Sequence, residues 1–371
     1  MTLSVTGDNI QFPDLSVQDT AATGFGFKNR IINGDMRIDQ RNAGASVTAT
    51  NSYPVDRFFI QNITDGAFSA QQDTSAPVGF VSSLKFTTTT ADATLATTQN
   101  ITIQHRIEGT NVSDLGWGTA NAKTVTLSFW VRSSLTGTFG GTLVNNGLDR
   151  SHPFTYTISV ADTWEYKTAT ISGDTSGTWL TTTGIGIRIY FGLGVGTDRS
   201  GTAGVWAAAN YNSATGATSV VGTSGATFYI TGVQLEKGST ATSFDYRDYG
   251  RELAMCQRYL PAYSAPGGVE AVICGGSCAT TTIAANTITF PVSARVPPTG
   301  LIAPVASKFE VLFAAAVQNG TAFSFSGRAT TLSIQINLTV AGGLTVGQGC
   351  QLAWNATSTS SDVLLFTGCE L

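Results

Sequence analysis

"TVTLSFWVRSS", residues 124 to 134, decides the fold. Its apolar residues Val125, Leu127, Phe129 and Val131 recur at every second position, the period of a strand, in which side chains alternate between two faces. "GIGIRIYFG" (184 to 192) repeats the pattern with Ile185, Ile187, Ile189 and Phe191, and "SSLKFTTTT" (82 to 90) with Leu84 and Phe86. Each such strand has one apolar and one mixed face, and Gly-, Thr- and Asp-rich loops separate them. That combination predicts two antiparallel sheets packed face to face, a β-sandwich over residues 28 to 248.

Composition agrees. The chain has 371 residues, 42% of them hydrophobic and only 12% charged, with 41 glycines. Thr favours strands and Gly favours turns, so the fold class is all-β, and the length allows two or three domains. A net charge of −4 provides no basic surface for phosphates, which argues against a nucleic-acid partner. The first residues lack a basic start and an apolar run, so no signal peptide is expected. No stretch approaches the ~20 apolar residues of a membrane span, so no membrane insertion is expected either.

Beyond the sandwich, "DYGRELAMCQRYL" (248 to 260) places Leu253, Cys256 and Leu260 on one helical face, and Pro261 ends it, giving a linking helix over 249 to 261. Residues 262 to 371 return to strand patterning, read as a second, smaller C-terminal β-sandwich. Residues 1 to 27 alternate like strands but are too few to bury a core, so they are expected to rely on a neighbouring chain; a role in attachment or trimerisation is what the resemblance described next implies for them. Residues 192 to 226 read as a long surface loop.

Two groups of motifs carry a resemblance. Asn33-Gly34-Asp35-Met36 near the start and "FYITGVQLEKGSTATSF" (228 to 244) near the end resemble the first and last strands of carbohydrate-binding-type jelly rolls, which lie side by side. The larger set is "NRIINGDMRIDQRN", "YPVDRF", "IQHRIEGTNVSDLGWGTANAKTVTLSFWVRSS", "ITGVQLEKGSTATSFDYRDYGRELAMCQRYL" and the terminal "CEL". Together these are similar to a family of phage tail-fibre and tail-tip proteins. The resemblance implies a homotrimeric virion component, assembled in the host cytoplasm. Its N-terminus would join it to other tail proteins, and its β domains would be presented to a host surface polysaccharide. A purely structural virion part (collar, spacer or head fibre) and a bacterial carbohydrate-binding module stay open as alternatives.

Candidate site residues follow from strand parity. If Val125, Leu127, Phe129 and Val131 face the core, Trp130 and Arg132 face outward, and the same parity turns Arg188 and Tyr190 outward. An aromatic ring beside an Arg is what a sugar needs, with C–H faces stacking and hydroxyls accepting hydrogen bonds. These four residues are the expected carbohydrate patch, with Trp206, Asn210 and Tyr211 of the long loop in reserve. Parity leaves burial of Trp130 beneath the loop or a trimer neighbour open.

Metals and catalysis find less support. Related jelly rolls hold calcium near the terminal strands, where Asp35, Asp56, Arg57 and Glu236 lie, but Thr231-Gly232 stands where an acidic ligand is needed. Arg57 and Glu236 are expected to pair instead. Cys274 and Cys278, with Cys350 and Cys369, offer one close pair and two distant thiols, a poor zinc spacing. His105 lies on an apolar strand face and His152 precedes Pro153, neither in a nucleophile motif. No cofactor, no metal and no enzyme activity are expected.

Overall fold

The computed structural model describes residues 28–314 and 316–371, together with the backbone of three short strands, Ser4–Thr6, Asn9–Gln11 and Val17–Gln18. The expected role of residues 1 to 27 otherwise lies outside the described residues. The fold is all-β: among the described residues it has a jelly-roll sandwich, one α-helix and a second β unit.

The sandwich has two antiparallel sheets. One has six strands in the order Ser151–Ile158, Gly137–Val144, Ile185–Val195, Asn100–Glu108, Phe58–Asn62, Ser52–Val55. The other has five, in the order Glu165–Ile171, Val125–Ser133, Thr227–Lys237, Ser83–Thr90, Ala67–Asp73. Alternating residues of both sheets meet in one core that includes Val125, Leu127, Phe129 and Val131 from one side and Ile187, Ile189 and Phe191 from the other. The Phe129 and Phe191 rings stand 5.1 Å apart, edge to face, across the middle. Burying such rings supplies most of what holds the two layers together, each contributing a few kcal/mol.

The Asn-Gly-Asp stretch closes this domain. Asn33 adopts a left-handed backbone (φ 59°) and spends its amide on the carbonyls of Ile38 (2.8 Å) and Asp56 (2.9 Å). A short polar side chain that bonds locally tolerates that conformation. Gly34 lies against the last strand, where a Cβ would stand 2.2 Å from the Val233 carbonyl oxygen, so only glycine fits. Val233 N–H donates to Gly34 O (2.9 Å) and Arg30 N–H to Leu235 O (2.9 Å), so the first and last segments of the sandwich are neighbours.

The helix is Tyr249–Gln257, capped by the Asp248 carboxylate accepting from Arg251 N–H (2.8 Å). Its Cys256, with Tyr259, packs on Ile32 and Ile38. The C-terminal unit differs from expectation. Ala271–Cys278, Ile283–Thr289, Ser333–Val340, Ala316–Ala329, Phe309–Phe313 and Gly349–Trp354 close into a six-stranded barrel rather than a second sandwich. The reason is edge pairing: Ala271–Cys278 bonds to Ile283–Thr289 on one side and Gly349–Trp354 on the other. Inward–outward alternation is identical in sandwiches and barrels, so it does not report closure.

The barrel is tied back to the sandwich by charge. Arg258 holds Glu108 with two hydrogen bonds (3.0 and 2.8 Å), and Tyr259 Oη donates to the same carboxylate (2.8 Å). Near the last residues, the Glu370 carboxylate is gripped by Arg57 and by Arg41 (2.8 Å). Arg295 donates to the carbonyls of Cys369 (2.7 Å) and Glu370 (2.6 Å). Arg57 therefore pairs with Glu370, not with Glu236 as expected from sequence, because the tail returns beside it. Glu236 instead accepts from Thr242 N–H (2.8 Å), Thr242 Oγ1 (2.7 Å) and Gln234 (2.9 Å).

Candidate functional site

The outer face of the five-stranded sheet carries the site. Trp130 lies in register between Tyr166 on one neighbouring strand and Thr231 on the other, all three pointing away from the core. The Trp130 and Tyr166 rings are 5.4 Å apart. Facing them stand three rings from loops. Phe80 is 5.2 Å from Phe244 and 5.5 Å from Tyr246, and the last two are 4.9 Å apart. These five aromatics, with Ser128, Gly232 and the 241–243 turn, line an open hollow of about 560 Å³.

Local chemistry explains the shape. The Thr227–Lys237 strand bulges between Thr231 and Gln234, and Gly232 takes a left-handed backbone (φ 60°) there. A Cβ at Gly232 would lie 2.7 Å from the Phe80 ring and 3.1 Å from Trp130, so glycine keeps the floor open between the two aromatic walls. Tyr246 Oη donates to Gly79 O (2.7 Å), which fixes its ring at the rim. Tyr166 and Tyr246 are exposed, at 43% and 55%. Exposed aromatic rings grouped around a hollow mark a binding surface more than a packing one.

Arg132 continues the same face. It donates to Ser75 Oγ (3.0 Å), stands over the Tyr229 ring (5.0 Å) and lies 3.6 Å from Asp162. Lys85 approaches Tyr229 from the other side (5.5 Å) and pairs with Asp73 (3.5 Å). Both cations thus have carboxylate partners, and the Glu236 carboxylate is held behind the hollow's Thr242, so no unpaired cation faces the hollow among these residues.

The four residues expected as one patch are not together. Parity turned all four outward, yet Trp130 and Arg132 belong to the five-stranded sheet while Arg188 and Tyr190 belong to the six-stranded one. Outward on these two sheets means opposite sides of the molecule. Tyr190 is also buried, 5% exposed. The reserve residues of the long loop are structural. Trp206 packs edge-to-face with Trp117 and Trp179 (5.4 Å each) and donates its indole N–H to Ser172 O (2.8 Å). Tyr211 N–H bonds Ser151 Oγ (3.3 Å), and Ala207 bridges to Ser151, so this segment is stitched to the edge of the six-stranded sheet. The Asn210 Oδ1 has no hydrogen-bond partner among the described residues.

Phe80, Tyr166, Phe244 and Tyr246 were not singled out from sequence. Tyr166 had a signal, a large ring on the polar face of "EYKTATI", as did Phe244 and Tyr246 in "SFDYRD", aromatics two apart outside any strand. Nothing in the sequence placed Phe80 beside them.

Metal-ligating candidates are otherwise engaged. Asp35 pairs with Arg37 (2.7 Å), and Asp56 with Arg41 (3.4 Å) and Gln40 (2.6 Å). Cys278, Cys350 and Cys369 are all buried in the core of the C-terminal unit, where the Cys369 thiol donates to Val296 O (3.2 Å). Burial pushes the Cys274 and Cys350 thiols up to about 12, which disfavours the thiolate a metal needs. Among the described residues, no three His, Cys, Asp or Glu side chains are grouped to hold a metal ion. His105 is fully buried, bonded to Ile32 and held well below its usual range by burial and by Arg57. Hollows of about 630 and 420 Å³ in the C-terminal unit are walled mainly by small and aliphatic residues, with one Phe ring (Phe313) in the first and two (Phe323 and Phe325) in the second.

No family model matches the chain, and no curated protein matches it. Among solved structures it is similar to a CBM4 module (18% identity, TM-score 0.32, covering 56% of this chain and 99% of that one). It is similar also to a family 11 carbohydrate-binding module from Clostridium thermocellum in complex with a mixed-linked tetrasaccharide (13% identity, TM-score 0.26, 55% and 100%). A third is the enzymatically active domain of tailspike protein 4 from bacteriophage CBA120 (9% identity, TM-score 0.29, 54% and 22%). Likenesses this distant carry no argument about a ligand, which has to come from the hollow itself.

Proposed function

We propose that this chain is a glycan-binding protein whose ligand lies in the aromatic hollow of the five-stranded sheet. One observation carries the reading: Trp130 and Tyr166 face Phe80, Phe244 and Tyr246 across an open floor of about 560 Å³. Sugar rings offer flat C–H faces that stack on such walls, and their hydroxyls find partners in Ser128, Thr242 and Ser243 and in nearby backbone groups. With Arg132 and Lys85 paired to carboxylates and Glu236 behind Thr242, the surroundings favour an uncharged sugar unit over an acidic one at this position. Binding without catalysis completes the reading; growth of reducing ends in a polysaccharide incubated with the protein would overturn that part.

The setting we propose is a phage tail fibre, homotrimeric in the virion and directed at a host surface polysaccharide. Its support is the motif set over residues 28 to 60, 103 to 134 and 230 to 260. A trimer would turn weak single-site binding into strong attachment through avidity. A glycan array probed with purified protein, beside Tyr166→Ala, tests the binding. Signals on polysaccharide spots that vanish in the variant support it, and equal signals exclude the hollow. Light scattering tests the assembly, which a stable monomer at micromolar concentration contradicts. A protein that binds no glycan yet joins virion subunits would instead be a structural component.

A further inference from the structure

The two walls of the aromatic hollow differ in shape. Trp130 and Tyr166 stand in register on adjacent strands, so one wall belongs to the sheet itself. The opposite wall has no common plane. Phe80 meets Phe244 at 71° and Phe244 meets Tyr246 at 72°, with ring centroids 4.9 to 5.5 Å apart, so the three rings enclose a concave corner. A flat sugar face stacks on a single ring plane, whereas a corner of steeply inclined rings accepts a compact apolar group.

The corner is also poor in hydrogen-bonding groups. The two Phe rings offer none, and the Tyr246 hydroxyl is spent on Gly79 O (2.7 Å). Polar side chains line other parts of the hollow, Ser128 on the sheet and Thr242 and Ser243 on the turn. A sugar hydroxyl pressed into the corner would lose its water without gaining a partner, while a methyl group there would gain from leaving water. The floor carries the same preference. A carbon built on Gly232 would stand 2.7 Å from the Phe80 ring and 3.1 Å from the Trp130 ring, so the two rings converge over the glycine on a notch that no side chain fills. A ligand methyl seated just above that point would touch both.

We infer that the corner of Phe80, Phe244 and Tyr246 selects a sugar bearing a methyl group, either the acetyl methyl of an N-acetylated sugar or the methyl of a 6-deoxy sugar. This rests on the glycan reading of the hollow and names the class of sugar. Both kinds are uncharged, in keeping with the pairing of Arg132 and Lys85 to carboxylates.

The test is NMR titration of the full chain with glucose, N-acetylglucosamine and 6-deoxyglucose, the last two each differing from glucose at one substituent. Burial of one methyl group is worth about fourfold in affinity, so one or both should bind about fourfold or more tightly than glucose. Which of them does so identifies the source of the methyl. Saturation of the protein's aromatic protons should pass most strongly to the methyl protons of the ligand, a readout that needs no variant. In Phe80→Ala, shown to be folded by its melting curve, the affinity ratio to glucose should fall toward one. Equal affinities for the three sugars, saturation strongest at the sugar ring protons, or an unchanged ratio in folded Phe80→Ala overturns the methyl corner and leaves the glycan reading standing. So does failure of all three sugars to bind a protein that gives signals on a glycan array, whereas a blank array as well removes both.

Discussion

The two outer faces of the sandwich come from the same strand alternation and end up as opposites. On the five-stranded sheet Trp130, Arg132 and Tyr166 stay at least partly accessible although Ser128, Tyr229 and Thr231 beside them are buried, and loop rings from Phe80, Phe244 and Tyr246 gather beside Trp130 and Tyr166 to make a hollow. On the six-stranded sheet the outward row of Thr142, Tyr190, Gln104 and Phe59 is buried, the 200–214 segment is stitched along one edge, and the Glu370 tail sits among arginines at the other end. A residue's face is set by parity, but its accessibility is set by what the rest of the chain lays over it.

The largest effect that would break this contrast is on the closed face. Arg57 is 3% exposed and has Glu370 as its carboxylate partner. Removing one side of a buried pair leaves a charge uncompensated, so Glu370→Ala should cost roughly 3 to 5 kcal/mol in chemical denaturation. A loss below about 1 kcal/mol would mean that the tail is not a clamp.

The next concerns pH on the same side. Burial raises Asp56 to about 6 from its usual 3.8, so the folded protein holds the proton more tightly than the unfolded chain. Asp56 therefore contributes its full share of stability below about pH 4 and loses it as pH rises to about 6. His105 works in reverse: its folded value is depressed well below 6.5, so its contribution is full above that and is lost as pH falls. Between about pH 4 and 6 the two slopes oppose, each up to about 1.4 kcal/mol per pH unit. Asp56→Asn should leave stability falling more steeply on acidification through this window than in wild type. Parallel pH profiles for the two proteins would contradict the assignment.

The open face is sharpened by Trp130→Ala. Loss of a stacking wall should weaken glycan binding by about tenfold or more, about 1.4 kcal/mol. Because Trp130 is half-buried, the stability cost should not exceed about half of the 3 to 5 kcal/mol typical of buried aromatics. Unchanged affinity with a large loss of stability would move Trp130 from the site to the scaffold. Smallest of all, Tyr246→Phe removes one hydrogen bond, to Gly79 O, and should cost about 1 kcal/mol or less while loosening the rim. A melting curve and a binding isotherm check both halves.

By itself the sequence determined the strands, their apolar faces, the helix and the outward direction of Trp130, Arg132, Arg188 and Tyr190, because these depend on periods of two and of three to four residues along the chain. That Gly34 and the closing strand are neighbours was implied only by the resemblance of their motifs to the first and last strands of carbohydrate-binding-type jelly rolls. What it left undecided is every property that depends on which strand lies beside which. Sheet membership separated Trp130 from Tyr190, edge pairing made the C-terminal unit a barrel, and the return of the tail gave Arg57 to Glu370 rather than Glu236. Phe80 and Tyr166, 86 positions apart in the numbering, face one another only because a bulge at Gly232 opens the floor between them. Contacts between residues far apart in the chain are fixed by long-range packing, which no local period encodes.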